Sequence, residues 1–177
     1  RQGDQLLGEN TDGTGFVQSL AEVTEPAGKR VAILGAGGAA RAIAVELGLA
    51  GGASFQIVNR SEKHGTVLVE LLAGKMERQA EFVPWLHEYV VPEDVEILIN
   101  ATSIGLFDPD ARIPLDESSL RPGLVVADVV FNPPETQLLE AAKKRGCTTL
   151  DGLGMLVNRL DPDTAVMRDA LEEYFGI

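Results

Sequence analysis

The sequence has little cysteine and little positive charge, and it has no long hydrophobic run. Its single cysteine, Cys147, excludes an internal disulfide and indicates a reducing compartment. Lysine and arginine number 15 against 27 aspartates and glutamates, and the net charge of −12 argues against nucleic acid or an anionic membrane surface as a partner. No apolar run reaches the roughly 18 residues of a membrane span, and no secretory signal is visible. These absences predict a cytoplasmic protein.

A short glycine-rich stretch links a predicted strand to a predicted helix. Val31–Leu34 is wholly apolar and predicts a buried strand, and the Ala- and Leu-rich stretch 39–49 predicts a helix. Between them Gly35, Gly37 and Ala40 have the spacing of a dinucleotide-binding turn. Gly37 would let the backbone approach a pyrophosphate that any Cβ would push away. A tight structural turn without a ligand is the alternative.

The end of the second predicted strand, 54–58, indicates which dinucleotide would bind. The next residues are Asn-Arg-Ser-Glu-Lys, with no acid at the strand tip to bind a ribose 2′-hydroxyl. Arg60, Ser61 and Lys63 can meet a 2′-phosphate instead, and arginine offers a planar donor fork. The sequence therefore favours NADP over NAD. In the alternative interpretation Ser61 caps the next helix and Arg60 is solvated, although the cap can coexist with the site.

Alternating strands and helices predict the fold class. Six parallel strands covered by helices on both faces indicate a doubly wound α/β fold of Rossmann type, with strand order 3-2-1-4-5-6. Residues 1–24 are interpreted as a linker helix entering the domain, and 25–177 as the dinucleotide-binding domain. The remaining helices are predicted from Thr11 or Asp12 to about Val23, over 61–73 and 135–145, from Asp151, and over 163–174. The remaining strands are predicted over 79–83, 95–99, 124–130 and 147–150, with one helical turn in the proline-rich loop 107–123.

Several other residues are candidates for function, each with a plainer alternative. The small and hydroxyl residues of 100–106 would border the nicotinamide side of a cofactor crevice, or form a turn that satisfies its own backbone. Cys147 begins a predicted strand and is interpreted as a core residue rather than a nucleophile. His64 lies beside the predicted 2′-phosphate-binding residues. It is interpreted either as a solvated helix residue or as a phosphate contact. His87 has no Cys or His at metal-ligand spacing, and no metal site is predicted.

Six stretches of the sequence resemble motifs of one family, shikimate dehydrogenase and its quinate/shikimate relatives. They occur in the same order as in that family. The resemblance covers nearly all of the chain but only the cofactor-binding half of the family. The stretches are Glu9-Asn10-Thr11-Asp12-Gly13-x-Gly15, Gly35-Ala36-Gly37-Gly38-Ala39, Asn59-Arg60-Ser61, Asn100-Ala101-Thr102-Ser103-Ile104-Gly105, Asp128-Val129-Val130-Phe131-Asn132-Pro133 and Asp151-Gly152-Leu153-Gly154-Met155-Leu156-Val157.

The resemblance implies an NADP-dependent shikimate 5-dehydrogenase that reversibly reduces 3-dehydroshikimate to shikimate in aromatic amino acid and chorismate biosynthesis. It implies a substrate held between two domains and a catalytic pair formed by Asp12 and a lysine of an amino-terminal domain. Cofactor binding is implied for Gly35, Ala36, Gly37, Gly38, Ala39, Asn59, Arg60, Ser61, Lys63, Thr102, Val129, Gly152 and Met155. Substrate binding is implied for Asn10, Asp12 and Phe131.

Three departures from the family pattern bear on activity. The substrate domain and its lysine have no counterpart here, Phe131 stands where the family usually has Tyr, and Arg159 stands where Gln and a further helix are expected. The chain alone is therefore predicted to be inactive. A non-catalytic dinucleotide-binding or regulatory module is the alternative, and a methylene-tetrahydrofolate or glutamyl-tRNA reductase domain is a weaker one. Apolar surface bared around 8–20 and 152–175 would favour homodimers or aggregates.

Overall fold

A computed structural model describes residues 11–157, which form a single six-stranded parallel sheet flanked by helices. The strands are β1 (Arg30–Leu34), β2 (Ser54–Asn59), β3 (Gln79–Pro84), β4 (Ile97–Asn100), β5 (Val125–Asp128) and β6 (Thr148–Leu150). The α-helices are α1 (Thr11–Ala21), α2 (Gly38–Leu49), α3 (Glu62–Met76), α4 (Gln137–Lys144) and α5 (Gly152–Val157), and one 3₁₀ turn spans Glu117–Ser119. The sheet order is β3-β2-β1-β4-β5-β6, which confirms the predicted fold class and strand order.

Each central strand supplies side chains to two separate cores, one on each face of the sheet. In β1, Val31 and Ile33 join the core that α1, α2, α3 and α5 cover. Ala32 and Leu34 point to the opposite face and join the core that α4 covers. Burial on both faces explains why the strands are continuous apolar runs rather than alternating ones.

Three strands are shorter than the sequence predicts, β6 only by its first residue. β5 ends at Asp128 because the Asp128 carboxylate accepts a hydrogen bond from the Val130 amide at 3.0 Å, which turns the chain out of the sheet. β4 begins at Ile97 because the Val95 amide donates to the Pro92 carbonyl in a preceding turn. Hydrophobicity alone extends β5, since Val129 and Val130 continue its apolar run beyond Asp128.

Two helix boundaries also differ from the prediction. α4 begins at Gln137 because Thr136 is its N-cap and accepts from the Leu139 amide. α3 continues to Met76, its last residue. Glu77 is the C-cap and has a left-handed φ of 54°. Both termini depend on backbone geometry that hydrophobic periodicity does not encode.

The first helix is part of the core rather than an exposed connection. Phe16 and Leu20 of α1 are buried against α2, and both belong to the same core as β1. Leu153 and Met155 of α5 are buried too. The expectation of bare apolar surface around 8–20 and 152–175 is therefore wrong for these described positions, and self-association stays a prediction.

Some predictions lie outside the described residues, namely Asn10, Arg159 and the helix over 163–174. Thr11 and Asp12 both lie within α1. Among the helices of the described range, none is long and apolar enough to cross a membrane.

Candidate dinucleotide-binding site

The turn after β1 is built so that only glycine fits at its first position. Gly35 has a φ of +108°, and a Cβ there would lie 2.9 Å from the Ala101 carbonyl oxygen at the end of β4. Its amide donates to the Val58 carbonyl of β2 at 2.8 Å. The chain therefore turns sharply at the point where β1 lies between β2 and β4, the switch point at which open α/β sheets bind ligands.

The next two glycines leave open space beside the start of α2. A Cβ added at Gly37 or Gly38 would meet nothing within 4 Å. Gly37 is the N-cap of α2 and provides no side-chain hydrogen bond to its first amides, whereas Ser61 and Thr136 cap α3 and α4. The first amides of α2 thus have no side-chain cap, as is typical of helix termini that bind phosphate.

A side-chain network shapes the turn after β2. The Asn59 Nδ2 atom donates to the Ser61 carbonyl at 2.9 Å, and the Ser61 hydroxyl accepts from the His64 amide at 3.4 Å. The predicted cap at Ser61 is therefore confirmed. Arg60 and Lys63, which flank this cap, are both exposed.

Arg60 and Lys63 line two different cavities, a separation that their closeness in sequence does not indicate. The first, here called the α2–α3 cavity, has a volume of about 300 Å³ and is lined by Ala36, Gly37, Gly38, Arg41, Lys63, His64, Val67 and Leu68. The second, here called the Trp85 cavity, has a volume of about 260 Å³ and is lined by Arg60, Trp85, Leu86, His87, Glu88, Ile104 and Pro114. The buried Trp85 indole donates to the Pro114 carbonyl at 2.9 Å, which fixes the wall of the second cavity.

A buried polar cluster joins the ends of β4 and β5. The Asp128 carboxylate accepts from Asn100 Nδ2 at 2.8 Å, from the Thr136 hydroxyl at 2.7 Å and from the Val130 amide. Asn100 and Asp128 are both essentially inaccessible to solvent. Burial raises the pKa of Asp128 to about 6, although the three donors oppose the shift. This Asp128 cluster holds the loops after β4 and β5 together at the carboxyl edge of the sheet.

The chain is similar to curated proteins of one family. No protein-family model matches the chain. A protein named shikimate dehydrogenase (NADP(+)) from Moorella thermoacetica is 44% identical over 156 residues, which cover 86% of this chain and 52% of that protein. The chain belongs to the shikimate dehydrogenase family. It spans about half the length of the curated relatives that it matches, and corresponds to their carboxyl-terminal domain.

Solved structures share this fold, among them the following two. The 5-ketofructose reductase of Gluconobacter sp. strain CHM43, solved in a ligand-free form, has a TM-score of 0.92 and 52% identity, over 99% of this chain and 66% of that one. The Listeria monocytogenes shikimate 5-dehydrogenase, solved with shikimate and NAD, has a TM-score of 0.79 and 37% identity, over 86% of this chain and 55% of that one. The similarity to a ketosugar reductase is the higher of the two.

The structure gathers most residues matched to the family's nicotinamide side around the ends of β4, β5 and β6. The Thr102 hydroxyl donates to Asn100 Oδ1 at 2.7 Å, so it takes part in the turn that follows β4. Gly152 packs so closely on the loop after β5 that a Cβ would lie 2.6 Å from the Val129 carbonyl oxygen. Met155 lies in the core at 7% exposure.

The residues matched to the family's substrate side are only partly described. Asp12 lies half-buried in the first turn of α1, next to Gly13 at the crossing with α2. Phe131 is half-buried and meets the exposed Phe107 edge to face, with ring centroids 6.4 Å apart. Phe107 has a φ of 58°, a left-handed conformation that non-glycine residues seldom adopt.

Sequence reasoning did not identify Arg41, Thr136 and Asp128 as individual site residues. Asp128 and Asn100 each end a wholly buried strand, so a polar residue closing an apolar run was an available signal. Arg41 lies on the first turns of α2, and its proximity to Lys63 arises only when α2 and α3 pack side by side.

The remaining candidates do not form a further reactive centre. Cys147 is partly buried, its thiol donates to the Arg121 carbonyl at 3.2 Å, and burial raises its pKa, which disfavours the nucleophilic thiolate. Within residues 11–157, no group of three His, Cys, Asp or Glu side chains is placed to hold a metal ion.

Proposed function

We propose that this chain is the NADP-binding part of an oxidoreductase of the shikimate dehydrogenase type. The observation that carries the proposal is the open backbone at Gly37 and Gly38, which faces a cavity lined by Lys63 at the switch point of the sheet. β2 ends in Asn59, whose side-chain amide donates to the Ser61 carbonyl. No acidic residue stands there to bind a free ribose 2′-hydroxyl. The relatives' shared name, which specifies NADP(+), supports the same cofactor.

Each group of residues has a role in this proposal. The amides at the start of α2 bind the pyrophosphate, while Arg60, Ser61 and Lys63 bind the adenosine side of the cofactor. NADPH, when bound, would supply the hydride for reduction of a ketone carbon. Asp12 would donate the proton that the ketone oxygen needs to become the carbinol, and would accept it back in the reverse reaction. The loops held by the Asp128 cluster border the nicotinamide and orient it.

The first candidate substrate pair is 3-dehydroshikimate and shikimate, which the motif set and the relatives' names support. A ketosugar is the second candidate, because the 5-ketofructose reductase is 52% identical over 99% of this chain. Phe131 also favours a different substrate, since it lacks the hydroxyl that the family tyrosine would direct at shikimate. A ketosugar has no carboxylate, so its recognition needs different contacts at this position.

The chain alone is proposed to be inactive in either reaction. A proton carrier such as Asp12 acts only when the substrate is oriented against it, and the matching lysine has no counterpart in this sequence. A non-catalytic dinucleotide-binding module is the competing proposal, and it shares the cofactor site but not the chemistry.

Calorimetric titration with NADP and then NAD tests the cofactor proposal. We expect micromolar binding of NADP and much weaker binding of NAD. Replacing Arg60 with alanine should weaken NADP binding about tenfold or more, because a charge-assisted hydrogen bond to phosphate contributes about 1.5–3 kcal/mol. Arg112→Ala is the matched control, since Arg112 pairs with Glu117 on a separate loop. If neither dinucleotide binds the unmodified chain, the glycine turn is structural and the proposal fails.

A further inference from the structure

The α2–α3 cavity combines features that are suited to a phosphate group. Its mouth includes the open backbone of Gly37 and Gly38, and basic side chains enter from two different helices, Arg41 from α2 and Lys63 from α3. Val67 and Leu68 of α3 form the apolar part of its wall. An apolar wall lowers the local dielectric constant and strengthens the attraction between these cations and an anion.

Both basic side chains that line this cavity keep their full charge. Arg41 and Lys63 form no ion pair with any residue between 11 and 157, even though the chain has a net charge of −12. Five of the ten other basic side chains in that range form ion pairs. These ion pairs are Lys29–Glu96, Arg30–Glu81, Arg30–Asp94, Arg112–Glu117, Lys143–Glu135 and Lys144–Glu140. An unneutralised pair beside one cavity concentrates positive potential there.

The position of the cavity indicates which phosphate it would take. In this fold the pyrophosphate lies on the first amides of α2 and the adenosine ribose lies at the end of β2. The α2–α3 cavity lies between these two points. Gly37 and Gly38 line it at the start of α2, and Lys63 lines it from the first turn of α3, which the Ser61 cap joins directly to β2. A group attached to the ribose 2′-oxygen would enter it.

We propose that Arg41 is a specificity-determining residue that binds the 2′-phosphate of NADP together with Lys63 in the α2–α3 cavity. The inference rests on the proposed NADP-binding function. The guanidinium fork of Arg41 can donate two parallel hydrogen bonds to one phosphate, whereas Lys63 supplies a point charge from the opposite wall. Arg60 lines the Trp85 cavity, on the other side of the Ser61 turn, and contributes positive charge to cofactor binding from there.

The test is calorimetric titration of the whole 177-residue chain and its Arg41→Ala variant with NADP, NAD and adenosine 2′,5′-bisphosphate. We expect Arg41→Ala to weaken NADP and adenosine 2′,5′-bisphosphate about tenfold or more, and NAD by less than about twofold. Arg41→Lys should recover part of the loss, since it restores charge without the planar fork. Arg112→Ala is the matched control for loss of an exposed arginine elsewhere.

The possible outcomes separate this inference from the proposed function. Equal losses for NADP and NAD would place Arg41 on the pyrophosphate or on the fold and overturn the inference alone. Unchanged NADP affinity in a variant with an unchanged melting temperature would overturn it too. An unmodified chain that binds neither dinucleotide would overturn the proposed function, and the inference with it.

Discussion

At the scale of single residues, Asp128 connects the stability of the fold to the shape of the site. Its carboxylate accepts hydrogen bonds from Asn100, Val130 and Thr136, which belong to the end of β4, the loop after β5 and the cap of α4. Three elements thus depend on one buried group. Because no cation contacts it among these partners, burial outweighs hydrogen bonding and raises the pKa of Asp128 to about 6.

The raised pKa of Asp128 predicts a specific pH dependence of stability. Between its ordinary value of 3.8 and about 6, the folded chain keeps a proton that the unfolded chain releases. The contribution to the free energy of unfolding is therefore complete below pH 3.8 and is lost as pH rises through about 6. The free energy of unfolding should fall by about 3 kcal/mol in total, because one pKa unit corresponds to roughly 1.4 kcal/mol.

Urea unfolding of the unmodified chain and its Asp128→Asn variant at several values between about pH 4 and 7 measures this effect. Other carboxyl groups titrate in both proteins, so their contributions cancel in the difference. The stability of the unmodified chain minus that of the variant should fall as pH rises. A difference that stays constant across the range would contradict the buried, titrating carboxyl.

At the scale of elements, close approach of backbones decides where helices can lie. α1 crosses α2 at Gly13, where a Cβ would come within 2.5 Å of the Ala42 carbonyl oxygen and 2.7 Å of Glu46 Cγ. Gly13 belongs to a motif that the family resemblance links to substrate chemistry, yet its neighbours show a packing role. The helix carrying Asp12 is therefore held against the domain by this crossing.

Gly13→Ala should separate α1 from α2 and destabilise the chain by about 1–3 kcal/mol, the usual cost of overpacking. Gly74→Ala is the matched control, because Gly74 lies in α3 and a Cβ there meets nothing within 4 Å. That control should be neutral or up to about 1 kcal/mol more stable, since alanine favours helix over glycine. Urea denaturation of both variants provides the measurement. Equal stability of the two would show that the crossing tolerates a methyl group.

At the scale of the whole molecule, this chain carries the proposed cofactor site and one member of the catalytic pair that the resemblance implies. It spans about half the length of its curated relatives. Asp12 and Phe131 lie on elements of this domain, whereas the lysine implied by the resemblance has no counterpart here. Binding and turnover should consequently separate in this chain.

We expect no NADPH oxidation by the purified chain with either 3-dehydroshikimate or 5-ketofructose, even at concentrations that saturate NADP binding. The reason is that the proposed mechanism needs a lysine to orient the ketone against Asp12, and this sequence has no lysine in a matching motif. Absorbance of the reduced nicotinamide at about 340 nm follows the reaction. Turnover with one ketone would contradict the prediction of inactivity and would identify the substrate class at once.

The sequence by itself determined the fold class, the strand order, the glycine turn and the Ser61 cap. These features depend on local signals, because buried parallel strands are continuous apolar runs, tight turns require glycine and helix starts favour hydroxyl side chains. Even so, β5 extended too far in the prediction, since the Asp128 side chain that ends it acts on the Val130 amide two residues later.

Only the tertiary structure decided how separate elements meet. Arg60 and Lys63 are close in sequence but line different cavities, because the Ser61 turn lies between them. Arg41 reaches the cavity of Lys63 only because α2 and α3 pack side by side on one face of the sheet. The raised pKa of Asp128 likewise needs burial by β4, β5 and α4 together. Charge, burial and backbone approach depend on distances in space, which spacing along the chain does not specify.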